Sequence, residues 1–361
     1  MKLEEAIIIL PKSKIKAGDG KKEGEYPLYR SSNNLDTYYD EYLLDEEVII
    51  IGTGGNPSIH YNKGKCAYTT QCLVLKSKGE FENKYIYYYL LSRLNKIKRM
   101  FRGLAIKQLD KKAFFKLDIL LVDKVKQKII IDNLDKISNN IQSKKEQLKS
   151  LEEFIKSQFV EMFGNNKFEK KKLGDVAIKI TDGSHNPPKG VDERTEYVML
   201  SSQNIIEDRI NYNSARYLSR EDFERENKRT YLEKGNVLLT IVGTIGRTAI
   251  IDNEKNITLQ RSVAVIKPTG KIKSEYLVAS LKSDSTIKQL NKESKGVAQK
   301  GIYLNDLKKI VIPVPPITLQ NQFSEIVKQI DKQKFEIEKS LKETQELYES
   351  LINEYFKGDM R

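Results

Sequence analysis

The feature that most constrains the fold is an internal repeat. Residues 52–92 align with residues 243–283 without a gap, at an offset of 191. Within this stretch Gly52 falls on Gly243, Gly55 on Gly246 and Tyr85 on Tyr276. A repeat of this length is far longer than the roughly 20–50 residues of a solenoid unit. The sequence therefore predicts two copies of one whole folding unit.

The repeat continues outside this stretch with a drifting offset. Residues 103–107 match residues 296–300 at an offset of 193, and residues 2–6 resemble residues 172–176 at an offset of 170. Loops that differ in length between two copies of one fold explain such a drift. A chain of 361 residues is long enough for two or three domains.

Each copy ends in a long helical pattern with a narrow apolar seam. The seam residues recur at alternating steps of three and four, which is typical of a coiled coil. The flanking positions are almost wholly charged, whereas a helix on a globular core has a wider apolar stripe. The seam positions are Leu134, Ile137, Ile141, Lys144, Leu148, Leu151 and Ile155 in the first helix, and Ile330, Gln333, Ile337, Ser340, Thr344, Leu347 and Leu351 in the second, at an offset of 196. Because each seam contains polar residues, the pattern favours pairing of the two helices with each other in an antiparallel coiled coil.

The globular parts contain short β-rich runs as well as helices. Residues 47–51, 72–75, 236–241 and 262–266 are predicted strands. Residues 85–95 and 274–290 are predicted helices. The predicted fold class is α+β, with two similar domains that are each followed by a long helix. The predicted boundaries are 1–122 and 165–316 for the domains, and 123–164 and 317–361 for the helices.

The charge balance indicates a polyanionic partner. Sixty-three Lys and Arg residues against 50 Asp and Glu residues give a net charge of +13. Such an excess favours nucleic acid; a solvated lysine-rich surface is the alternative. The sequence has two cysteines, no run of 18 apolar residues and no signal-peptide pattern. We therefore expect a cytoplasmic protein that does not interact with a membrane.

The sequence carries no complete catalytic motif. It has no Walker-type phosphate loop and no glycine-rich dinucleotide fingerprint. The Asn-Pro-Pro tripeptide at 186–188 is similar to the core of the adenine-N6 methyltransferase motif, but Lys189 stands where a base-stacking aromatic residue is expected. His60, Cys66 and Cys72 lack a paired Cys-x-x-Cys element, so a zinc site is not predicted. We predict a binding protein without catalytic, cofactor or metal residues.

Two α+β units that are each followed by a long helix resemble the specificity (S) subunit of type I restriction-modification systems. The resemblance covers nearly the whole chain, and the order and duplication of the motifs make it specific. The motifs are Lys172-Leu-Gly-Asp-Val176, Thr181-Asp-Gly-Ser-His185 followed by Pro187-Pro188, Gly235-Asn-Val-Leu-Leu-Thr240, Gly243-Thr-Ile-Gly246, Gly296-Val-Ala-Gln-Lys300 and Ile312-Pro-Val-Pro-Pro316 with Gln320 and Gln322 in the second copy, and Tyr26-Pro-Leu-Tyr-Arg30-Ser-Ser32, Gly52-Thr-Gly-Gly55 and Gly103-Leu-Ala-Ile-Lys107 in the first. One departure is Ile119-Leu-Leu-Val-Asp123, which replaces the proline-rich turn in the first copy.

The resemblance implies a role for each part of the chain. Each α+β unit would be a target recognition domain that reads one half of a bipartite double-stranded DNA sequence. The long helices would set the unread gap and dock two methyltransferase (M) subunits, which would bring S-adenosylmethionine. Restriction (R) subunits, if present, would bring ATP and Mg²⁺. The chain itself would be a non-catalytic subunit of a DNA methyltransferase and restriction endonuclease complex.

The candidate DNA-binding residues lie on predicted loops. Base reading in the major groove needs side chains with hydrogen-bonding groups, presented by loops on a rigid scaffold, and basic or amide side chains hold phosphates. The candidate base-reading residues are Arg30, Ser31, Ser32, Asn33 and Asn34 in the first unit and Asp182, Ser184 and His185 in the second, and the candidate phosphate-binding residues are Lys107, Arg247, Gln299 and Lys300. Two other interpretations remain open from the sequence: a two-domain coiled-coil scaffold with incidental basic charge, and a stand-alone DNA adenine methyltransferase.

Overall fold

The computed structural model describes residues 1–103, 107–164, 168–252, 256–296 and 300–357. The chain divides into two compact units. The first unit combines Met1–Glu146 with Ile337–Arg361, and the second is Gln147–Glu336. Each unit therefore contains one globular part of the chain together with a portion of both long helices.

Within the described residues, the first unit contains two four-stranded sheets, one two-stranded sheet and four short α-helices. Its strands are β1 Ile7–Ile9, β2 Tyr26–Tyr29, β3 Tyr38–Tyr39, β4 Leu44–Asp45, β5 Val48–Gly52, β6 Ser58–Asn62, β7 Lys65–Tyr68, β8 Cys72–Ser77, β9 Phe101–Arg102 and β10 Gln108–Leu109. Its helices are α1 Leu3–Ala6, α2 Asn83–Ser92, α3 Leu94–Lys98 and α4 Lys111–Phe115, followed by the long helix α5 Lys124–Phe163. One four-stranded sheet is antiparallel with the order β1-β8-β5-β6, and the other has the order β3-β2-β7-β4 with β2 and β7 parallel.

The second unit follows the same plan. Its strands are β11 Lys170–Lys172, β12 Ala177–Asp182, β13 Tyr197–Leu200, β14 Ile205–Ile206, β15 Arg209–Ile210, β16 Arg216–Tyr217, β17 Val237–Thr240, β18 Thr248–Ile250, β19 Asn256–Leu259, β20 Val263–Pro268 and β21 Val311–Pro313. Its helices are α6 Arg220–Thr230, α7 Ser274–Leu281, α8 Asp284–Glu293 and α9 Leu304–Leu307, followed by the long helix α10 Ile317–Tyr355. The antiparallel sheet has the order β12-β20-β17-β18, and β13 and β19 are parallel in the other sheet.

The strand orders confirm the predicted duplication: β1, β8, β5 and β6 of the first unit correspond to β12, β20, β17 and β18 of the second. The gap-free alignment of the two copies is wrong, however, at the turn after the central strand. Gly55 donates its N–H to the Lys107 carbonyl, and Gly243 donates its N–H to the Lys300 carbonyl. Gly55 therefore corresponds to Gly243, three residues away from the gap-free alignment. Both have positive φ, 74° and 80°, which glycine adopts without strain.

The central strand of each unit is covered on both faces. All five residues of β5 are buried, as expected for a strand between two layers. Ile49 and Ile51 pack in the cluster that contains α2, whereas Val48 and Ile50 face the second sheet. In the second unit Leu239 and Leu238 divide in the same way.

Two predicted helices are interrupted. The run 85–95 forms α2 and α3, separated at Arg93, and the run 274–290 forms α7 and α8. The second break has a local cause at Ser283. Its hydroxyl accepts a hydrogen bond from the Thr286 N–H, so Ser283 is the N-cap of a new helix.

The two long helices run antiparallel to each other, as predicted. In the first unit Asn133 of α5 bonds Tyr355 of α10 at 2.9 Å, and Lys144 bonds Thr344 at 2.6 Å. In the second unit Lys334 of α10 bonds Glu152 of α5 at 3.1 Å. The Lys144 contact is a pairing of polar residues that interrupt both predicted seams.

The seam predicted for α5 is confirmed, but part of the one predicted for α10 is wrong. Gln333 and Leu347 are exposed, the latter by 51%. The inner face of α10 is formed by Ile330, Lys334, Ile337, Leu341, Thr344, Tyr348 and Ile352. A search for apolar positions does not identify Lys334 as an inner-face residue, because lysine is charged. Its aliphatic stem is nevertheless buried, and its ammonium group reaches Glu152.

A buried glutamine anchors the start of each long helix. The Gln127 side chain accepts from the Glu82 N–H and donates to the carbonyls of Glu80 and Val122. Gln320 repeats this pattern with Lys273, Lys271 and Pro315. The two helices therefore correspond at an offset of 193, not 196.

The departure in the first copy changes only how the helix begins. Asp123 caps α5 by accepting from the Lys126 N–H at 2.9 Å. At the start of α10 the corresponding position is Pro316, whose carbonyl accepts from Leu319 and Gln320. The proline-rich turn and the aspartate cap are alternative ways to begin the same helix.

Candidate nucleic-acid interface

In each unit the loops that carry the candidate residues leave one edge of the antiparallel sheet. Gly52, the last residue of β5, pairs with Ser58 and Cys72, the first residues of β6 and β8. In the second unit Thr240 ends β17 and pairs with Val263, which begins β20. We call this edge of each sheet, where β5 or β17 ends, the loop edge.

At the loop edge of the first unit the segment 30–34 is fixed to the turn at 53–55. The Ser31 hydroxyl donates to the Gly54 carbonyl and accepts from the Gly54 N–H. His60 Nε2 lies 2.7 Å from the Ser32 carbonyl. Burial lowers the pKa of His60, so at neutral pH the ring is neutral and Nε2–H is the donor. The backbone of the segment is therefore held in place by two side chains.

The side chains of this segment differ in exposure. Arg30 is half-buried and its guanidinium group pairs with Asp36 at 2.6 Å. This pairing lowers the pKa of the Asp36 carboxyl. Asn33 and Asn34 are exposed. Lys107 is also exposed and lies beside the same turn, because its carbonyl accepts from the Gly55 N–H. The structure thus brings the six candidates of the first unit together around one turn.

At the loop edge of the second unit Asp182 organises a small polar cluster. Its carboxylate pairs with the Arg229 guanidinium, and its carbonyl accepts from Arg229 Nε at 2.9 Å. His185 Nε2 lies 3.0 Å from the second carboxylate oxygen. Asp182 is buried, whereas His185 is exposed. The charges of Asp182 and Arg229 neutralise each other, and this ion pair supports the solvent-exposed ring of His185.

Ser184 occupies a more confined position than its neighbours. Its N–H donates to the Leu259 carbonyl and its own carbonyl accepts from the Arg261 N–H. The residue is buried. A side chain at Gly183 would place its Cβ 1.9 Å from the Leu259 oxygen, so only glycine permits this approach. At this edge His185 is therefore exposed to solvent, whereas Ser184 is not.

Arg247 and Lys300 flank the turn at 243–246. Arg247 is exposed, and one guanidinium nitrogen donates to the Ile205 carbonyl at 3.4 Å. Lys300 is exposed, with its carbonyl bonded to the Gly243 N–H. These two and the Asp182 cluster share the loop edge of the second unit. Gln299, the remaining candidate, lies outside the described residues.

The sequence interpretation missed three lysines at the loop edge of the first unit. Lys12, Lys14 and Lys16 are exposed and alternate with the buried Ser13 and Ile15. The Ile15 carbonyl accepts from the Thr70 N–H in the loop that precedes β8. None of the three lysines forms an ion pair within the described ranges. Their alternation with buried positions was the available signal, and we refer to them as the lysine row.

Arg229 was also missed, and no sequence pattern would have found it. It lies 47 residues after Asp182, near the end of α6. Only the packing of α6 against the sheet brings the two together.

The thiols of Cys66 and Cys72, which were considered as metal ligands, lie in the core. Burial raises the pKa of Cys66 to about 12 and raises that of Cys72 as well. Protonated thiols are poor metal ligands. Within the described part of the chain, no three His, Cys, Asp or Glu residues are grouped as a metal site would require. The same residues include no helix with the length and apolar character needed to cross a membrane.

Comparison with known proteins gives a consistent result. The type I restriction modification DNA specificity domain matches residues 1–153 and 165–347. The chain is 24% identical over 370 residues to the type I restriction enzyme EcoBI specificity subunit of Escherichia coli, covering 91% of this chain and 77% of that protein. It is 25% identical over 338 residues to the MjaVIII specificity subunit of Methanocaldococcus jannaschii, covering 85% and 79%.

Solved structures agree at the level of the fold. The S subunit of a type I restriction-modification system from M. genitalium superposes with a TM-score of 0.64 at 14% identity, over 100% of this chain and 96% of that one. The domain match covers two stretches that together make up most of the sequence. The chain therefore belongs to the type I restriction-modification DNA specificity family, as its motifs predict.

Proposed function

We propose that this chain is the non-catalytic, DNA-reading subunit of a type I restriction-modification complex. Each unit reads one half of a bipartite target in double-stranded DNA through its loop edge. The long helices set the unread gap and dock two methyltransferase subunits. S-adenosylmethionine binds on those subunits, and ATP and Mg²⁺ bind on restriction subunits where these are present.

The observation that carries this proposal is the repetition of one loop edge in two units with different side chains. The scaffold is the same in both, because the strand order and the turn glycines Gly55 and Gly243 correspond. The side chains differ: the lysine row and the 30–34 segment in one unit, and the His185 cluster in the other. A shared scaffold with different exposed side chains suits the reading of two different half-sites.

The first test separates reading from catalysis. The purified chain is expected to transfer no methyl group and to bind no S-adenosylmethionine, whereas the chain mixed with its methyltransferase subunit methylates a bipartite sequence. Calorimetry with S-adenosylmethionine and sequencing of the methylated DNA measure the two properties. Binding of S-adenosylmethionine by the chain alone would favour the stand-alone methyltransferase, and absence of DNA binding by the mixture would favour the scaffold.

The lysine row gives a second expected result. Each phosphate contact contributes about 0.9 to the slope of log K against log salt concentration. Replacing Lys12, Lys14 and Lys16 by glutamine is therefore expected to lower this slope by about 2 to 3 and to weaken binding equally for all sequences. Titration of the assembled complex with duplex DNA at several salt concentrations measures the slope.

A matched control removes the same charge from the opposite edge of the same sheet. Lys63, Lys78 and Lys116 are exposed there, next to the far ends of β6 and β8 and the segment beside α1. Their replacement by glutamine is expected to leave the slope nearly unchanged. Equal slopes for the two triple variants would show that the lysine row has no special role.

A further inference from the structure

One chain of backbone hydrogen bonds at the loop edge recurs in both units. The Thr69 N–H donates to the carbonyl of Tyr29, the last residue of β2, at 2.9 Å. In the second unit the Gln260 N–H donates to the carbonyl of Leu200, the last residue of β13, at 2.8 Å. The carbonyls of Thr69 and Gln260 then accept from the first residues of β8 and β20, at 3.0 Å in both units. Thr69 therefore corresponds to Gln260.

This correspondence places Lys16 and His185 at the same position of the scaffold. The next residue along the chain donates its N–H to the Ile15 carbonyl at 2.8 Å in the first unit and to the Ser184 carbonyl at 2.9 Å in the second. Ile15 and Ser184 are both 8% exposed, and each is followed by an exposed residue. Lys16 and His185 thus follow the same backbone contact, so the two units present different side chains from one place.

The histidine differs from the lysine because one of its ring nitrogens is already engaged. His185 Nε2 lies 3.0 Å from a carboxylate oxygen of Asp182 and 3.5 Å from a guanidinium nitrogen of Arg229. The shorter contact assigns the proton to Nε2, since a carboxylate can only accept. Nδ1 makes no hydrogen bond to the described residues and is left for a ligand. It is an acceptor when the ring is neutral and a donor only when the ring is positively charged.

The charges around His185 come from its own segment, from α6 and from the turn before β20. The charged residues of these segments closest to it along the fold are Lys179, Asp182, Lys189, Glu226, Arg229 and Arg261. Both carboxylates are already paired with guanidinium groups. The lysines and Arg261 therefore leave the surroundings positive, which favours an anionic ligand.

We propose that His185 binds a phosphate of the DNA backbone through Nδ1–H, at the position where the first unit uses Lys16, and that the ring takes up a proton from solvent when it does so. A phosphate oxygen accepts hydrogen bonds, so the neutral ring offers it no donor at Nδ1. The positive ring forms a charge-assisted hydrogen bond. A lysine ammonium group carries its charge throughout the neutral range and needs no such step. The inference rests on the proposed function, in which each loop edge lies on DNA.

The consequence is that DNA binding by the second unit depends on pH. The bound ring holds a proton that the free neutral ring lacks, so binding strengthens as the pH falls through the range in which imidazole titrates. One proton taken up per complex corresponds to an affinity gain of up to about tenfold per pH unit. The chain has two histidines. Burial lowers the pKa of the other one, His60, which stays neutral in this range.

Titration of the assembled complex with duplex DNA at pH values of about 6 and 8 tests the linkage. The partner subunits titrate as well, so the readout is the difference between variants. H185Q is expected to lose up to about one proton of linkage and to bind more weakly than the unaltered complex at the lower pH. H185K is expected to lose the same linkage but to bind tightly at both pH values.

A matched control places an imidazole elsewhere in the same unit. Lys234 is exposed and lies three residues before the start of β17, at the edge of the sheet opposite the loop edge. The variant K234H is expected to keep the pH dependence of the unaltered complex. A pH dependence that is the same in the H185Q, H185K and unaltered complexes would overturn the inference.

The methylated sequence gives an independent readout. A phosphate contact positions the protein and carries no sequence information, so the H185Q and H185K complexes are expected to methylate the unaltered target. A change at one base of the target would show that His185 reads a base, and would also overturn the inference. If the unaltered complex binds no duplex DNA at either pH, the proposed function itself fails, which is a distinct outcome.

Discussion

Replacing residues 1–122 with the corresponding unit of a relative that has a different target is expected to change one half of the methylated sequence and to leave the other half intact. Each unit has its own core and its own loop edge. Energies at separate sites add nearly independently. A mismatched base pair costs about 1–3 kcal/mol, so several mismatches in one half-site abolish recognition of the old sequence. Sequencing of methylated bases in cells that express the hybrid measures the outcome.

The graft must preserve the packing of the first unit on the long helices. Phe356 of α10 packs on Tyr85 and Tyr89 of α2, with ring centres 5.3 and 5.9 Å apart. A hybrid that retains these two tyrosines is expected to fold, whereas one that loses them leaves Phe356 facing a void. The reciprocal replacement of residues 168–316 is the matched control and is expected to change the other half only. A hybrid in which both halves change would argue against independent readers.

The duplication and the fold class could be predicted because they leave marks at many positions. Tyr85 and Tyr276, which the sequence alignment pairs, make equivalent hydrogen bonds in the two units. Gln127 and Gln320 do so as well, although the predicted helix offset of 196 does not align them. The residue-by-residue alignment of the two copies was harder to predict. Glycines at closely spaced positions allowed Gly243 to be aligned with Gly52 when its partner is Gly55.

The prediction of the α10 seam was partly wrong for a different reason. Lys334 lies on the inner face although it is charged, so the prediction from apolar positions assigned the seam to the neighbouring Gln333 instead. Buried lysines defeat such patterns because the stem is apolar and only the terminal group is charged.

The candidate residues differ in whether the sequence around each of them is enough to identify it. Arg247 was found because it follows a glycine turn, and the 30–34 segment, Lys107 and Lys300 because they lie in or beside the motifs that the chain shares with the family; the structure brings all of them to the loop edges. Their contact with DNA stays a prediction. Arg229 escaped because its relation to Asp182 exists only after α6 has packed. The lysine row was missed because it lies in none of the repeated motifs, although Pro11 and Gly18 flank it and its alternation with Ser13 and Ile15 was visible.

Lengthening both long helices by one heptad is expected to widen the gap between the half-sites without changing the bases that are read. Seven residues inserted after Leu148 and seven after Leu341 keep the seam, since these positions correspond at the offset of 193 and a heptad restores the inner face. The helices lengthen by about 10 Å at about 1.5 Å per residue. At about 3.4 Å per base pair this equals about three base pairs. Sequencing of the methylated target measures the gap directly.

The larger gap also has a rotational consequence. Three base pairs turn the second half-site by roughly 100° about the DNA axis, given about 10–10.5 base pairs per turn. We therefore expect weaker binding as well as a longer gap, and the residual methylated sequence is the informative measurement. Insertion into α5 alone is the control: it lengthens α5 but not α10 between the Lys144–Thr344 and Glu152–Lys334 pairs, so the two pairs can no longer both form, and it is expected to abolish activity. If the double insertion leaves the gap unchanged while both halves are still read, the helices do not set the spacing, and the distance between half-sites must be fixed by the partner subunits.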